Sequence, residues 1–271
     1  MRRIAAVARN TFREAARNKV MYSLLFFALA LIVSALALGE LSVHEERRMV
    51  RDVGLSGIDV FSVLIAIFVG VNLLYKELAL KTVYTILPKS IARWEFVLGK
   101  WLGVMATLLV QIAVMGAVLA LTLLVQAGGG GPDAAGRSAL DGALPKALWL
   151  FVMNVAIVTS VAMLFSAFTS PFLSGLFSLG VFVVGRQVPD LRQVAGRVGG
   201  GFGTALDLLA AVLPNLHLFV PSGTIVDAQR VSVHGQFVGA GYLGAVTAYA
   251  LGYSALVLGL AMLIFRRRDF V

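Results

Sequence analysis

An all-α integral membrane protein is the fold class this sequence predicts, and three observations predict it. Apolar residues make up 59 % of the 271-residue chain and charged residues only 14 %, with a mean hydropathy of +0.90; that balance suits a chain whose main solvent is lipid. The apolar residues gather into six runs, approximately 20–38, 58–74, 96–125, 147–168, 172–188 and 239–265. Each is near or above the roughly 18 to 20 residues a helix needs to cross a hydrocarbon core of about 30 Å. The runs are also continuous, unlike the short alternating strands of a membrane barrel. Six transmembrane helices in a single domain, 1–271, are therefore expected.

Ahead of the first span, residues 1–19 carry a pattern of their own. Arg9, Arg13 and Arg17 recur every four residues on one helical face, while Ile4, Val7, Ala8, Phe12 and Ala15 occupy another. This predicts a short basic amphipathic helix lying in the interface on membrane lipid. A basic segment before an apolar run also describes a secretory signal, but 20–38 is longer than a usual signal core and is expected to stay as the first span.

The third run, 96–125, exceeds what the core needs, so it should tilt or project beyond the membrane. Between the fourth and fifth runs stand only Thr169-Ser170-Pro171, which demands a tight turn. The segment after the third run opens with Gly128 to Gly131 and Pro132-Asp133, a flexible loop by composition. In 189–238, apolar patches at 206–213 and 216–220 are separated by Pro214-Asn215. They are too short to span and predict interfacial or re-entrant helices on the outer side, serving as a lid or as a folded connector.

Orientation follows from lysine and arginine. Placing both termini and the loop after the second span inside puts 14 of the 23 basic residues there, with only four of the 14 acidic ones, Glu14, Glu77, Glu95 and Asp269. The net charge of +9 is thus a one-sided basicity that membrane topology and anionic lipid explain, and no nucleic-acid partner is expected.

Several chemistries are excluded or weakened. The chain has no cysteine, which removes disulfides and thiolate catalysis. His44, His217 and His234 fall in predicted external loops without metal-ligand spacing, so no metal site and no catalytic residue is assigned. No phosphate-binding Gly-x-x-x-x-Gly-Lys-[Ser/Thr] occurs: Gly99-Lys100 is followed by Trp101, and Trp94 stands in place of the first glycine. Within the spans the polar residues are mild, Asn72, Gln111, Asn154, Thr159, Ser160, Ser166 and Ser178, with Asp59 only at the mouth of the second. Helix-packing hydrogen bonds are their first role, with Asn72, Gln111 and Asn154 as candidates for lining a path. The lack of mid-span charge weighs against an ion-coupled secondary transporter.

The densest polar chemistry lies between the second and third spans, at 75–103. Glu77 and Lys81 can pair at i, i+4, and Pro88 disfavours a helical Leu87, giving the segment a sharp boundary. Lys89, Arg93 and Lys100 offer cations to an acidic partner surface. Gly99 and Gly103 form a small-x-x-x-small pair that permits close helix approach. An ordinary positive-inside loop with an aromatic belt explains the charges and Trp94, but accounts less well for Pro88 and the glycines.

These residues resemble the cytoplasmic loop of ABC-2 type permeases, the six-helix membrane subunits of ATP-binding-cassette exporters. The matching positions are Glu77, Thr82, Leu87-Pro88, Ser90-Ile91, Arg93, Phe96, Gly99-Lys100 and Gly103, and the basic helix ending Arg17-Asn18-Lys19 looks like the family's elbow helix. The branch it suggests stands near copper-enzyme maturation permeases, although no Cys, Met cluster or His pair here builds a copper site. The resemblance implies a permease with no cofactor of its own, not itself an enzyme, in the cell inner membrane. Its implied partners are ABC ATPase subunits holding ATP and Mg, and a second permease subunit, identical or not. The coupling contact would comprise Glu77, Lys81, Thr82, Pro88, Lys89, Arg93, Glu95 and Lys100 within a loop at 75–95 and the start of the third span. A secondary transporter or channel acting alone, or a non-transporting membrane anchor of a complex, are the alternatives.

Overall fold

The structure is a computed structural model that describes residues 2–40, 46–79, 92–128, 143–220, 222–226, 229–232 and 239–267. Along the chain run α1 (Arg2–Ala15), α2 (Lys19–Glu40), α3 (Glu46–Ala79), α4 (Arg93–Gly128), α5 (Ala143–Ser166), α6 (Pro171–Arg186), α7 (Val188–Val198) and α8 (Gly200–Val212). A 3₁₀ turn (Leu216–Phe219), strands β1 (Ser222–Val226) and β2 (Gln229–Ser232), and α9 (Ala240–Arg267) complete it. Among the described residues, five helices are long and apolar enough to cross a membrane, and a sixth crossing is available if the bent pair α6–α7 counts as one span. The all-α membrane class therefore holds, with one small addition. A two-stranded antiparallel hairpin, Ser222 opposite Ser232 and Val226 opposite Gln229, forms where the β-branched Thr224, Ile225 and Val226 favour extended backbone.

Two boundaries differ from expectation, each for a physical reason. Helix α3 starts at Glu46, twelve residues before the second predicted span. Its first turns carry charges, yet Val50, Leu55 and Ile58 are buried on one stripe at helical spacing, and that stripe continues the helix. The fifth predicted span, 172–188, is instead a 16-residue helix, α6, which bends by 66° into α7. At about 1.5 Å per residue α6 is some 24 Å long, short of the hydrocarbon thickness.

Helix α5 is the hub. Of its membrane-length window 78 % is buried, against 22 % for α2 and 28 % for α9. Residues 150–163 are buried without interruption, the mark of a helix apolar all round. Against it α3 runs close: a Cβ at Gly70 would lie 3.2 Å from the Ala162 Cβ, and the Ser166 hydroxyl donates to the Val71 carbonyl at 3.1 Å. The tight turn into α6 is built as expected. Pro171 opens the helix after an extended Ser170, where its missing N–H costs nothing, and the Thr169 and Ser174 hydroxyls meet at 2.6 Å.

The bundle has two distinct ends. At one, the elbow end, α1 lies over the start of α4, and Phe96, Val97, Met163, Ala167 and Leu258 form a local apolar cluster of α4, α5 and α9. At the far end, the segment 188–219 folds back between α6 and α9. Its helices α7 and α8 meet at Gly199 and Gly200, whose φ of 62° and 63° L-residues with side chains rarely adopt.

Candidate functional site

The most concentrated chemistry in the described residues is a charged cluster at mid-span. Asp59 lies ten residues inside the apolar stretch Met49–Asn72 of α3, buried to 4 % exposure. Its Oδ1 accepts a hydrogen bond from Asn154 Nδ2 at 2.9 Å, and its Oδ2 is ion-paired with Arg186 Nη1. Asn154 belongs to the hub α5 and is 1 % exposed. Arg186 is the last residue of α6, with its guanidinium 5.3 Å above the Phe182 ring. Three helices are thus tied at one level by one carboxylate.

Each partner has a reason to be there. An unpaired carboxylate in hydrocarbon costs many kcal/mol, so a buried aspartate requires a cation and further hydrogen bonds. Arg186 supplies the cation at the C-terminal end of α6, where the helix dipole and unpaired carbonyls favour positive charge. Ser62 donates its hydroxyl to the Asp59 carbonyl at 2.9 Å, so the backbone at that turn is satisfied as well. The expectation that no charge sits mid-span is therefore corrected. Because α3 begins at Glu46, Asp59 moves from the mouth of a span to its middle, and the argument against an ion-coupled transporter loses its main support.

Next to Arg186 the far-end segment is seated. A Cβ at Gly185 would lie 2.8 Å from the Pro214 carbonyl oxygen and 3.1 Å from the Leu216 side chain, so the absence of a side chain there lets the chain come down onto α6. From the opposite side α9 holds it with three tyrosines. Tyr249 Oη accepts from the Asn215 N–H at 2.9 Å, Tyr253 donates to the Val212 carbonyl at 3.0 Å, and Tyr242 donates to the Leu218 carbonyl at 2.8 Å. The segment is thus clamped between α6 and α9.

The elbow end is joined differently. A Cβ at Gly99 would lie 2.8 Å from Val7 Cβ, and one at Gly103 would lie 2.5 Å from the Ala8 carbonyl oxygen and 2.6 Å from Thr11 Cβ. The glycine pair does permit close approach, and the helix that approaches is α1. Thr11 and Ala15 are buried by that contact, while Arg9, Arg13 and Arg17 stay exposed, as the two-faced pattern predicts.

Of the proposed coupling residues, Lys81, Thr82, Pro88 and Lys89 lie outside the described residues. Glu77 falls in the last turns of α3, and Arg93 opens α4. Glu95 has a local role: its Oε2 accepts from the Ala92 N–H at 3.1 Å, half of a capping box on α4. Lys100, expected to present a cation to a partner, is 1 % exposed with its Nζ 5.3 Å above the Phe96 ring. It follows Gly99 directly and Phe96 by one turn, so it is packed into the elbow rather than offered at the surface.

The three candidate path residues are not assembled into one lining. Asn72 bonds its own helix at the Phe68 carbonyl, 2.8 Å, and borders an open apolar groove of about 610 Å³ with Val20, Leu24, Phe68 and Phe172. It stands thirteen residues, or roughly 20 Å, along α3 from the level of Asn154. Gln111 is 4 % exposed on α4, its amide Nε2 and Oε1 without a hydrogen-bond partner among the described residues. Among those residues no group of three or more His, Cys, Asp or Glu could hold a metal ion.

The Asp59–Arg186 pair is what sequence reasoning missed. A signal existed: opposite charges stand in two apolar segments, Asp59 at the start of the second run and Arg186 near the end of the fifth. What establishes itself is a multi-pass, all-α helical membrane protein of permease-like layout with a buried ion pair at its centre; comparison with protein-family models and with curated proteins found no match for the chain.

Proposed function

We propose that this chain is the transmembrane permease subunit of an ATP-binding-cassette exporter, driven by separate ATPase subunits that bind and hydrolyse ATP with Mg. The observation that carries this reading is the elbow joint. A basic interfacial helix is seated on the first turns of α4 through Gly99 and Gly103, immediately after the polar segment that resembles a coupling loop. Force applied to that segment would pass into α4 and α1 together, since sliding would bring a side chain into the place of Gly103, against the Ala8 carbonyl. Glu77, Lys81, Thr82, Pro88, Lys89 and Arg93 then form the contact with the ATPase, and two permease subunits, alike or unlike, complete the pump. The one-sided basicity supports an inner membrane location with both termini in the cytoplasm.

Copurification tests the reading directly: a native complex with ATPase activity is expected, and one lacking any nucleotide-binding subunit refutes it. Replacing Lys89 and Arg93 together by glutamate should reduce ATPase association by charge repulsion. Unchanged association would remove the coupling contact.

A second reading is favoured by the mid-span ion pair, since ionisable groups inside a membrane mark ion pathways. An ion-coupled transporter would move substrate when the chain alone is reconstituted in liposomes with an ion gradient and no ATPase. The permease reading expects no transport in that experiment.

A further inference from the structure

We propose that the Asp59–Arg186 pair is a latch that holds the lid, residues 188–219, closed on the bundle, and that its release lets the end of α6 and the lid swing away from α5 together. Three observations lead there. First, the pair and the seat are adjacent: Arg186 follows Gly185, the residue on which Pro214 and Leu216 rest, and only Gln187 separates it from α7. Fixing Arg186 to α3 therefore fixes the seat and the root of the lid at once.

Second, the lid joins the core at one place. Leu216 and Phe219 of its 3₁₀ turn are fully buried in the main apolar core, whereas the buried apolar side chains of α7 and α8, Val188, Ala195 and Ala210, lie outside it. Its hydrogen bonds to α9 are the three tyrosine hydroxyl bonds described above, and a segment tied to the core by one turn opens at lower cost than the core itself.

Third, the pair is unevenly built. The Arg186 side chain is 27 % exposed and that of Asp59 only 5 %, so the arginine stands at the edge and the aspartate inside. When Arg186 leaves, Asp59 keeps its hydrogen bond from Asn154 on the hub, and the carboxylate is not left without a donor. The mobile half of the latch is the half that travels with the lid. Opening would uncover Asp59 and Asn154 from the far end of the bundle, making them the first polar groups met by whatever enters there. The latch does not depend on which chain supplies energy, so its failure would leave the proposed ATPase partner untouched.

The test uses the full-length chain in proteoliposomes. Because the protein has no cysteine, Leu216→Cys in the 3₁₀ turn supplies a single thiol under the lid, against Gly185, and Ala156→Cys in α5 a control inside the hub; Leu216 is 0 % and Ala156 1 % exposed. Labelling by a membrane-impermeant maleimide should be slow at both positions. Adding Asp59→Asn or Arg186→Gln should speed labelling at position 216 by about tenfold or more, since removing one member of the pair favours opening, and should leave position 156 slow. The charge exchange Asp59→Arg with Arg186→Asp should bring position 216 most of the way back, because the Asn154 amide can flip to face an arginine. Unchanged labelling at position 216 in both single variants overturns the latch. Parallel labelling at position 156 also overturns it, by making the pair a strut for the whole bundle. If Asp59→Asn does not accumulate, Arg186→Gln at the partly exposed end decides alone.

Discussion

The two ends of this bundle are closed by opposite means. At the elbow end α1 is seated on α4 through backbone approach, with glycines where side chains would collide and apolar contacts around them. At the far end the lid adds only Leu216 and Phe219 to the core, and is otherwise held by one glycine seat, one ion pair and three tyrosine hydroxyls. Packing of the first kind is short-ranged and has no intermediate state, so it transmits displacement. Directional polar contacts of the second kind can be exchanged for water one at a time. The contrast assigns rigidity to the elbow and release to the lid.

Four substitutions test this contrast, read as changes in the thermal unfolding of the purified protein. The largest effect is expected for Asp59→Ala, which leaves Arg186 without its anion and Asn154 without its acceptor; a loss of about 2–4 kcal/mol is expected, below the range of a fully buried pair because Arg186 is 27 % exposed. Should it destabilise less than the elbow variant below, the charge pair would be peripheral and the contrast inverted. Next comes Gly103→Val, whose side chain must displace the Ala8 carbonyl and Thr11, at a cost of about 1–3 kcal/mol, with α1 becoming accessible to protease. A stable variant with α1 still protected would show that the elbow is adaptable rather than rigid.

A smaller loss is expected at the lid: Tyr249→Phe removes the acceptor for the Asn215 N–H and should cost about 1 kcal/mol, with proteolysis confined to the lid segment. The smallest effect is expected from Gln111→Leu. Its amide is buried without a partner among the described residues, so an apolar replacement of similar shape should be neutral or stabilising. A marked loss of transport with stability retained would instead place Gln111 on the path.

Particular elements mark how far sequence reading reaches here. The elbow was legible because arginine recurs every four residues against an apolar stripe, a pattern confined to one helix. The glycine pair was legible as a site of close approach, but its partner was not, since α1 lies some ninety residues away in the chain. For α3 the apolar run was found and its start was missed: the charges of Arg51 and Asp52 lower the average hydropathy while the buried stripe continues beneath them. That single boundary moved Asp59 from a span's mouth to its middle. Likewise the fifth run read as one span because composition records apolarity but not direction, and the 66° bend between α6 and α7 is a matter of direction.

By itself, the sequence determined the membrane class, the approximate spans, the basic interfacial helix and the short apolar pieces before the last span, all of which follow from local composition and period. Tertiary structure alone decided that α5 is the hub, that α1 is the helix received by Gly99 and Gly103, that Lys100 is buried rather than presented, and that Asp59, Asn154 and Arg186 meet. Those facts depend on which helices become neighbours. Apolar helices in lipid attract one another with little specificity, so their pairing is chosen by small residues and by the few buried polar groups that must find partners.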